Sequence, residues 1–289
     1  MGKPSTREAM DYSIIVPVFN EERHIRGCLE ALLALDYPED RYEVVVVDNN
    51  STDRSAEIVR EYARARLVMA EQQGDFAARN KGIVESRGEI LAFTDSDTAP
   101  EPDWLRSIGR AMEDPTLEVI VGYLRLGDAG PLSMMERYEA ARGDFVFGSD
   151  DPSLYYGFTC NQIVRRSVFD ELGLFPEVFR NSDTVFVRRV VDAHGCDAVR
   201  FRRDVRVRRL EVATFPAFLA KQHIYGRDYR RYEAEAAVRT LTIGERIGLF
   251  RRVARDEGYS PVRSACFLGA LAAGAAAYEL GRLRGAPAP

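Results

Sequence analysis

Cysteine is scarce and scattered: four residues in a chain of 289, Cys28, Cys160, Cys196 and Cys266, with no CxxC pair among them. That spacing excludes a disulfide framework and a thiolate zinc site, and it fits a reducing compartment. Between Met1 and Asp11 there is no apolar stretch of the kind a signal peptide needs, so a cytoplasmic location is the expectation. No internal repeat or low-complexity segment stands out. No GxGxxG loop follows the first apolar run, which speaks against a dinucleotide-dependent oxidoreductase. What remains is ordinary for a soluble domain: 46% hydrophobic and 29% charged residues, with 22 Gly and 13 Pro. Disordered, collagen-like and coiled-coil classes are therefore set aside. The length fits one large α/β domain or a domain with an appendage.

The net charge of −5 hides an uneven split. Residues 200–289 carry 18 Lys and Arg against 9 Asp and Glu, a balance of +9, which leaves −14 for residues 1–199. A basic C-terminal third implies an anionic partner there: nucleic acid, acidic lipid headgroups or a phosphorylated substrate. The absence of an aromatic-basic stacking motif disfavours nucleic acid.

Along the first hundred residues, short apolar runs alternate with polar loops and helical periodicity. Tyr12–Val18, Tyr42–Asp48, Ala65–Met69 and Ile90–Thr94 read as strands. Helical patterns follow through Ile25 to Leu33, through Ile58 to Tyr62 and from Ala77 to Ser86. This alternation predicts a mostly parallel sheet with helices on both faces and functional loops at the C-terminal ends of the strands. Beyond residue 125 the pattern loosens. Residues 132–147 and 184–193 read as helices, 155–166 as an irregular segment entering a strand, and 199–210 as an Arg-rich strand; from Phe215 onward the reading is helical.

Acidic residues recur at the ends of the predicted strands: Asp48, Asp95 and Asp97. Asp48 there can accept hydrogen bonds from a base or ribose, and Asp95 with Asp97 can face a divalent cation bridging two phosphates. Each alone also suits a turn or helix cap; their recurrence in order favours the first reading.

Four segments, Ile15–Glu21 (IVPVFNE), Val46–Asp53 (VVDNNSTD), Gly74–Asn80 (GDFAARN) and Thr94–Asp97 (TDSD), resemble the successive motifs of family 2 glycosyltransferases over roughly residues 12–230. The resemblance implies a GT-A type, Rossmann-like α/β fold, an inverting mechanism, a nucleotide-diphosphate sugar donor, and Mg²⁺ or Mn²⁺ at the DxD motif. It implies a nucleotide-sugar-binding half over residues 1–125, an acceptor-binding half over 126–215 and a basic helical extension over 216–289. Position by position, Pro17 and Glu21 fall near the base, Asp48 on the nucleoside, and Gly74 and Arg79 near the ribose and diphosphate. Glycine permits close backbone approach, and arginine makes paired charge-assisted hydrogen bonds to phosphate. Asp183, in Asn181–Arg189 (NSDTVFVRR), takes the general-base position, with Ser182 where relatives carry glutamate. Asn161 borders the sugar, as a hydrogen-bond partner or as a buried turn residue.

Where many relatives place a metal-completing histidine, Arg208 stands; it suits the diphosphate or a solvated strand face. His223 is then the remaining candidate ligand or phosphate donor, whereas His24 and His194 read as structural. The chain lacks the Gln-x-x-Arg-Trp pattern of processive synthases, which favours addition of a single sugar. The acceptor alcohol, lipid-linked, saccharide or small molecule, is left open. A catalytically silent, sugar-nucleotide-binding or membrane-associated partner of the same fold is the alternative, motivated by Ser182 and Arg208.

In the extension, residues 243–255 read as a basic amphipathic helix with Ile247, Phe250 and Val253 on one face. Residues 265–278 form an uncharged run rich in Ala and Gly, short of the roughly 18 apolar residues of a confident span. Peripheral membrane attachment and a helical hairpin packed on its own domain or a second subunit both fit.

Overall fold

The structure, a computed structural model, describes residues 11–126, 130–177, 181–210, 214–236 and 239–284. Four parallel strands form one half of an eight-stranded sheet in the order β3-β2-β1-β4: β1 (Tyr12–Val18), β2 (Tyr42–Asp48), β3 (Ala65–Met69) and β4 (Ile90–Thr94). The continuous apolar runs in β1 and β2 arise because both faces are covered, so an alternating pattern would bury polar groups. Successive side chains point to opposite faces. Ile14 and Val16 pack with Ile25, Leu29 and Leu32 of α1 (Ile25–Leu33), whereas Ile15 packs on the other face with Phe76 and Ile83 of α3 (Asp75–Glu85). The helix α2 (Ser55–Arg60) packs beside β3. Pro17, with no N–H to donate, falls past the last paired residue of the β1–β4 ladder, where the missing donor costs nothing.

The second half contains β5 (Thr98–Pro100), α4 (Trp104–Ala111), β6 (Val119–Arg125), α5 (Gly130–Phe147), β7 (Asn161–Arg165), α6 (Arg166–Leu172), α7 (Ser182–His194) and β8 (Val199–Arg209), and completes the order β4-β7-β6-β8-β5. Here the sheet departs from the parallel expectation: β7 runs antiparallel to both β4 and β6, and the three-residue β5 antiparallel to β8. The reversal has a consequence for the site. Thr94 pairs with Asn161, so the start of β7 lies beside the end of β4, where the Asp95–Asp97 turn begins.

Three helices close the described chain: α8 (Phe215–Ala236), α9 (Ile243–Asp256) and α10 (Pro261–Arg284). Thr242 and Glu245 cap α9 reciprocally, each side chain accepting from the other's backbone N–H at 3.3 and 2.6 Å. Leu249 and Val253 of α9 and Phe267 and Ala270 of α10 belong to the same hydrophobic cluster as Tyr138 of α5. Phe267 meets Tyr138, Phe250 and Tyr259 with ring centroids 6.2, 5.2 and 5.8 Å away. The extension therefore packs onto its own domain, as one of the two alternatives required. Of the expected α9 face, Val253 is buried and Phe250 half-buried, but Ile247 is 43% exposed.

Candidate functional site

At the C-terminal ends of β1 and β2, short polar side chains tie two loops together. Asn20, in the left-handed region at φ 55°, accepts from the Thr52 N–H at 2.7 Å, and the Glu21 N–H donates to Ser55 Oγ at 2.8 Å. The Glu21 carboxylate is half-buried and meets His24 Nδ1 at 2.7 Å, so the glutamate expected near the base has a partner within its own turn. Asp48 is buried; one carboxylate oxygen accepts from the Ser51 N–H at 3.2 Å and the other, Oδ1, is buried with no hydrogen-bond partner. Next to it, Asn49 Oδ1 accepts from the Gly74 N–H at 2.9 Å, which docks the loop entering α3 against the end of β2. An unmet buried acceptor costs free energy unless something donates to it, and Asp48 Oδ1, at the C-terminal end of β2, is such an acceptor.

The Asp95–Asp97 turn is held by Thr98, whose N–H and hydroxyl both donate to the Asp95 carbonyl at 3.1 and 2.7 Å. Two arginines meet its carboxylates. Arg79 Nη2 donates to Asp95 Oδ1 at 2.7 Å, with its guanidinium 5.2 Å over the Phe76 ring; Arg209 Nη1 donates to Asp97 Oδ2. Asp97 Oδ1 and Arg79 Nε are buried and unpartnered. Burial pushes the Asp97 carboxyl up, and Arg209 opposes that shift. Among the described residues no group of three or more His, Cys, Asp or Glu gathers in one place. The donor set nonetheless suits Mg²⁺ or Mn²⁺ held by one or two carboxylates, with substrate phosphates completing the shell, and the orphaned Asp97 oxygen is the atom left for such a contact.

Asp183 occupies the first turn of α7 and is 8% exposed. Its Oδ2 accepts from the N–H and hydroxyl of Thr159 at 3.1 and 3.3 Å, and its Oδ1 from the Thr184 N–H at 2.9 Å. Burial raises the carboxyl above the ordinary range, against the pull of the Thr159 hydrogen bond and the Arg79 charge. Gly157 makes this possible: a Cβ there would lie 2.2 Å from the Asp183 backbone carbon, so no other residue lets the segment entering β7 approach α7 so closely. Ser182 is buried beside it.

Three expected site residues lie elsewhere. Asn161 is fully buried and saturated: Oδ1 accepts from Trp104 Nε1 at 3.0 Å, and Nδ2 donates to the carbonyls of Tyr123 and Val205 at 3.1 and 2.9 Å. It bridges the irregularity where the β6–β8 register slips after Gly122, and has no hydrogen left for a sugar. Arg208 is exposed on the outer face of β8. The period of two that buries Val205 and Val207 carries Arg209, not Arg208, to the inner face and to Asp97. His223 lies against α10, with Nδ1 3.3 Å from the Ala277 carbonyl oxygen. Lys221 and Tyr225 flank it on the opposite side of α8, since residues two apart are separated by about 200° on a helix. The Lys221 charge helps to hold Asp97 down. Burial pushes the Tyr225 phenol up, with Cys160, Asp95 and Asp183 adding to it and Arg209 opposing.

Sequence reasoning missed Arg209, Thr159, Lys221 and Tyr225. The alternation in β8 carried the signal for Arg209; for the others no local pattern did.

The sequence model of the family described as Glycosyl transferase family 2 matches residues 13–173. The chain belongs to that family. It is 34% identical over 187 residues to the glycosyltransferase AglE of Haloferax volcanii, an alignment covering 63% of this chain and 61% of that protein. It is 34% identical over 166 residues to the putative glycosyltransferase EpsH of Bacillus subtilis, covering 55% and 48%. The matched stretch thus spans about half to three fifths of these relatives. Among solved structures, the mannosyltransferase PcManGT of Pyrobaculum calidifontis, in complex with GDP-Man and Mn²⁺, superposes with a TM-score of 0.62 at 24% identity, covering 92% of this chain and 75% of that one. The shared fold is a mixed, curled α/β sheet with helices on both faces.

Proposed function

We propose that the chain is an inverting glycosyltransferase that moves one sugar from a nucleotide-diphosphate donor to an acceptor hydroxyl, with Asp183 as base and Asp95 and Asp97 as the holders of Mg²⁺ or Mn²⁺. The observation that carries the reading is a pair of buried carboxylate oxygens with no hydrogen-bond partner, Asp48 Oδ1 and Asp97 Oδ1, in the segments that follow β2 and β4, with Arg79 linking Asp95 to the buried carboxylate at the start of α7. PcManGT, with GDP-Man and Mn²⁺, supports the donor class and the cation.

Asp48 Oδ1 accepts from the nucleoside and fixes its position. Arg79 meets the charge that develops on the diphosphate oxygen as the bond to the anomeric carbon breaks. A bound divalent cation supplies further stabilisation of that leaving diphosphate. Asp183 takes the proton from the acceptor hydroxyl, and the freed oxygen attacks the anomeric carbon from the side opposite the diphosphate, which inverts its configuration. The Thr159 and Thr184 hydrogen bonds fix the base in one orientation, so that its reach to the acceptor costs no reorganisation. Asp183→Asn is expected to lower transfer by about 10²- to 10⁴-fold and leave donor affinity intact. Near wild-type turnover in that variant would reduce Asp183 to a helix cap.

The same reading includes peripheral contact with an anionic membrane through α10. By length and composition this is the one helix among the described residues able to cross a membrane. One of its faces packs on α8, while Val262, Leu268, Leu280 and Leu283 stay 52–75% exposed, close in sequence to Arg263, Arg282 and Arg284. Flotation of the full chain with anionic vesicles, lost in Leu280→Glu/Leu283→Glu, is the expected result; a chain that never floats contradicts it.

A further inference from the structure

Each carboxylate of the Asp95–Asp97 pair has its own guanidinium. Arg79 reaches Asp95 from α3 at 2.7 Å, and Arg209 reaches Asp97 from the last position of β8. The four side chains are between 8% and 31% exposed, so these are partly desolvated pairs, less screened than surface contacts. Two positive charges balance two negative ones, and a bare divalent cation arriving there finds carboxylates already neutralised. Neither pair is complete: Arg79 Nε and Asp97 Oδ1 have no partner, and Asp97 is the one hydrogen-bond partner of the Arg209 guanidinium among the described residues.

A diphosphate changes this balance. It is an acceptor of paired charge-assisted hydrogen bonds from guanidinium, and it brings the negative charge that a cation beside two arginines requires. We propose that Arg79 and Arg209 are exchangeable counter-ions of the carboxylate pair: they hold Asp95 and Asp97 in the donor-free protein and pass to the donor's diphosphate, so that the carboxylates become available to a cation only together with a nucleoside diphosphate. This rests on the donor-site reading above and deepens it, assigning Arg209 a part in diphosphate recognition. No covalent step is involved: the two Arg–Asp pairs give way to contacts of both arginines with the diphosphate and of both carboxylates with the cation.

Mn²⁺ binding to the full chain, read from the electron paramagnetic resonance signal of free Mn²⁺, tests it without turnover. The probes are Mn²⁺ alone and Mn²⁺ with UDP, GDP or inorganic pyrophosphate. Wild-type protein is expected to bind Mn²⁺ at least roughly tenfold more tightly when a diphosphate is present, the scale of one charge-assisted hydrogen bond. Arg209→Gln is expected to raise diphosphate-free Mn²⁺ affinity by roughly tenfold and weaken diphosphate binding by a similar factor. Arg209→Lys, which keeps the charge, holds diphosphate-free Mn²⁺ binding near the wild-type level and guards against a folding defect in the glutamine variant. Equally tight Mn²⁺ binding with and without a diphosphate overturns the exchange and leaves the donor-site reading standing. Failure of wild-type protein to bind Mn²⁺ or any of the diphosphates overturns both.

Discussion

Asn161 replaces with one side chain the ladder hydrogen bonds that the slipped β6–β8 register gives up. Removing it strands the Trp104 indole N–H and two backbone carbonyls in a site closed to water. Asn161→Ala is expected to cost about 1–3 kcal/mol for the unmet groups, measured as a lowered urea midpoint, with donor affinity of the folded fraction unchanged. A stable variant with weakened donor binding would restore the sugar-contacting role that the sequence also permitted. Asp183 gives a second expectation at this scale. Its buried carboxyl is raised above the 3.8 of an ordinary aspartate and must be ionised to take a proton, so kcat should fall as pH drops through a value above that figure. An acid limb at or below the ordinary value would mean that another group is the base. The positions of Asp48, Asp95 and Asp97 at strand ends and of Asp183 in the first turn of α7 were legible, because apolar runs and helical periodicity mark where those elements stop and start. Asn161, Arg208 and His223 were not, because a side chain's direction is settled by register and helix phase, which motif spacing does not carry.

At the scale of elements, β1 to β4 were legible to the residue: β1, β2 and β4 are largely buried apolar runs with polar loops at each end, and the half-buried edge strand β3 is a short run bounded by polar loops. β5 and β7 were not: β5 is three residues long, and the direction of β7 depends on tertiary pairing with β4 and β6. The C-terminal end of α7 is held by His194, which meets Glu118 at Nδ1 and Glu171, 3.1 Å away, at Nε2. These hydrogen bonds raise the histidine above its ordinary 6.5. The native state therefore binds the proton more tightly than the unfolded chain. That stabilisation is complete below pH 6.5 and disappears as pH rises through the raised value. His194→Gln should flatten this part of the stability profile; an unchanged slope would place its origin elsewhere. The α8–α10 pair is built on glycine: a Cβ at Gly226 would stand 1.9 Å from the Tyr278 carbonyl oxygen, and one at Gly281 2.0 Å from that of His223. Gly226→Ala is expected to cost about 1–3 kcal/mol through helix separation, seen as a lower thermal midpoint and faster proteolysis of the extension. Unaltered resistance would mean that the pair contributes little to the fold.

Across the whole molecule, the basic C-terminal third turns out to face the acidic remainder of the chain. Arg203 pairs with Asp144, Arg206 with Glu101, Arg209 with Asp97 and Arg239 with Asp151. Partly exposed pairs of this kind add little stability, but they align the two parts by charge complementarity. The asymmetry that composition assigned to an external anion is thus spent in good part inside the fold, and Arg209 brings some of it to Asp97. The central claim is that the proposed site turns over a nucleotide sugar. Incubating the full chain with UDP- and GDP-sugars and Mn²⁺, and following nucleoside diphosphate release with and without an added acceptor, tests it most directly. The account predicts release from at least one donor, dependent on Mn²⁺ and lost in Asp97→Ala. A donor that raises the melting temperature of the wild-type protein yet is never consumed, with any acceptor or with water, would contradict it and mark the chain as a sugar-nucleotide-binding member of the family without turnover.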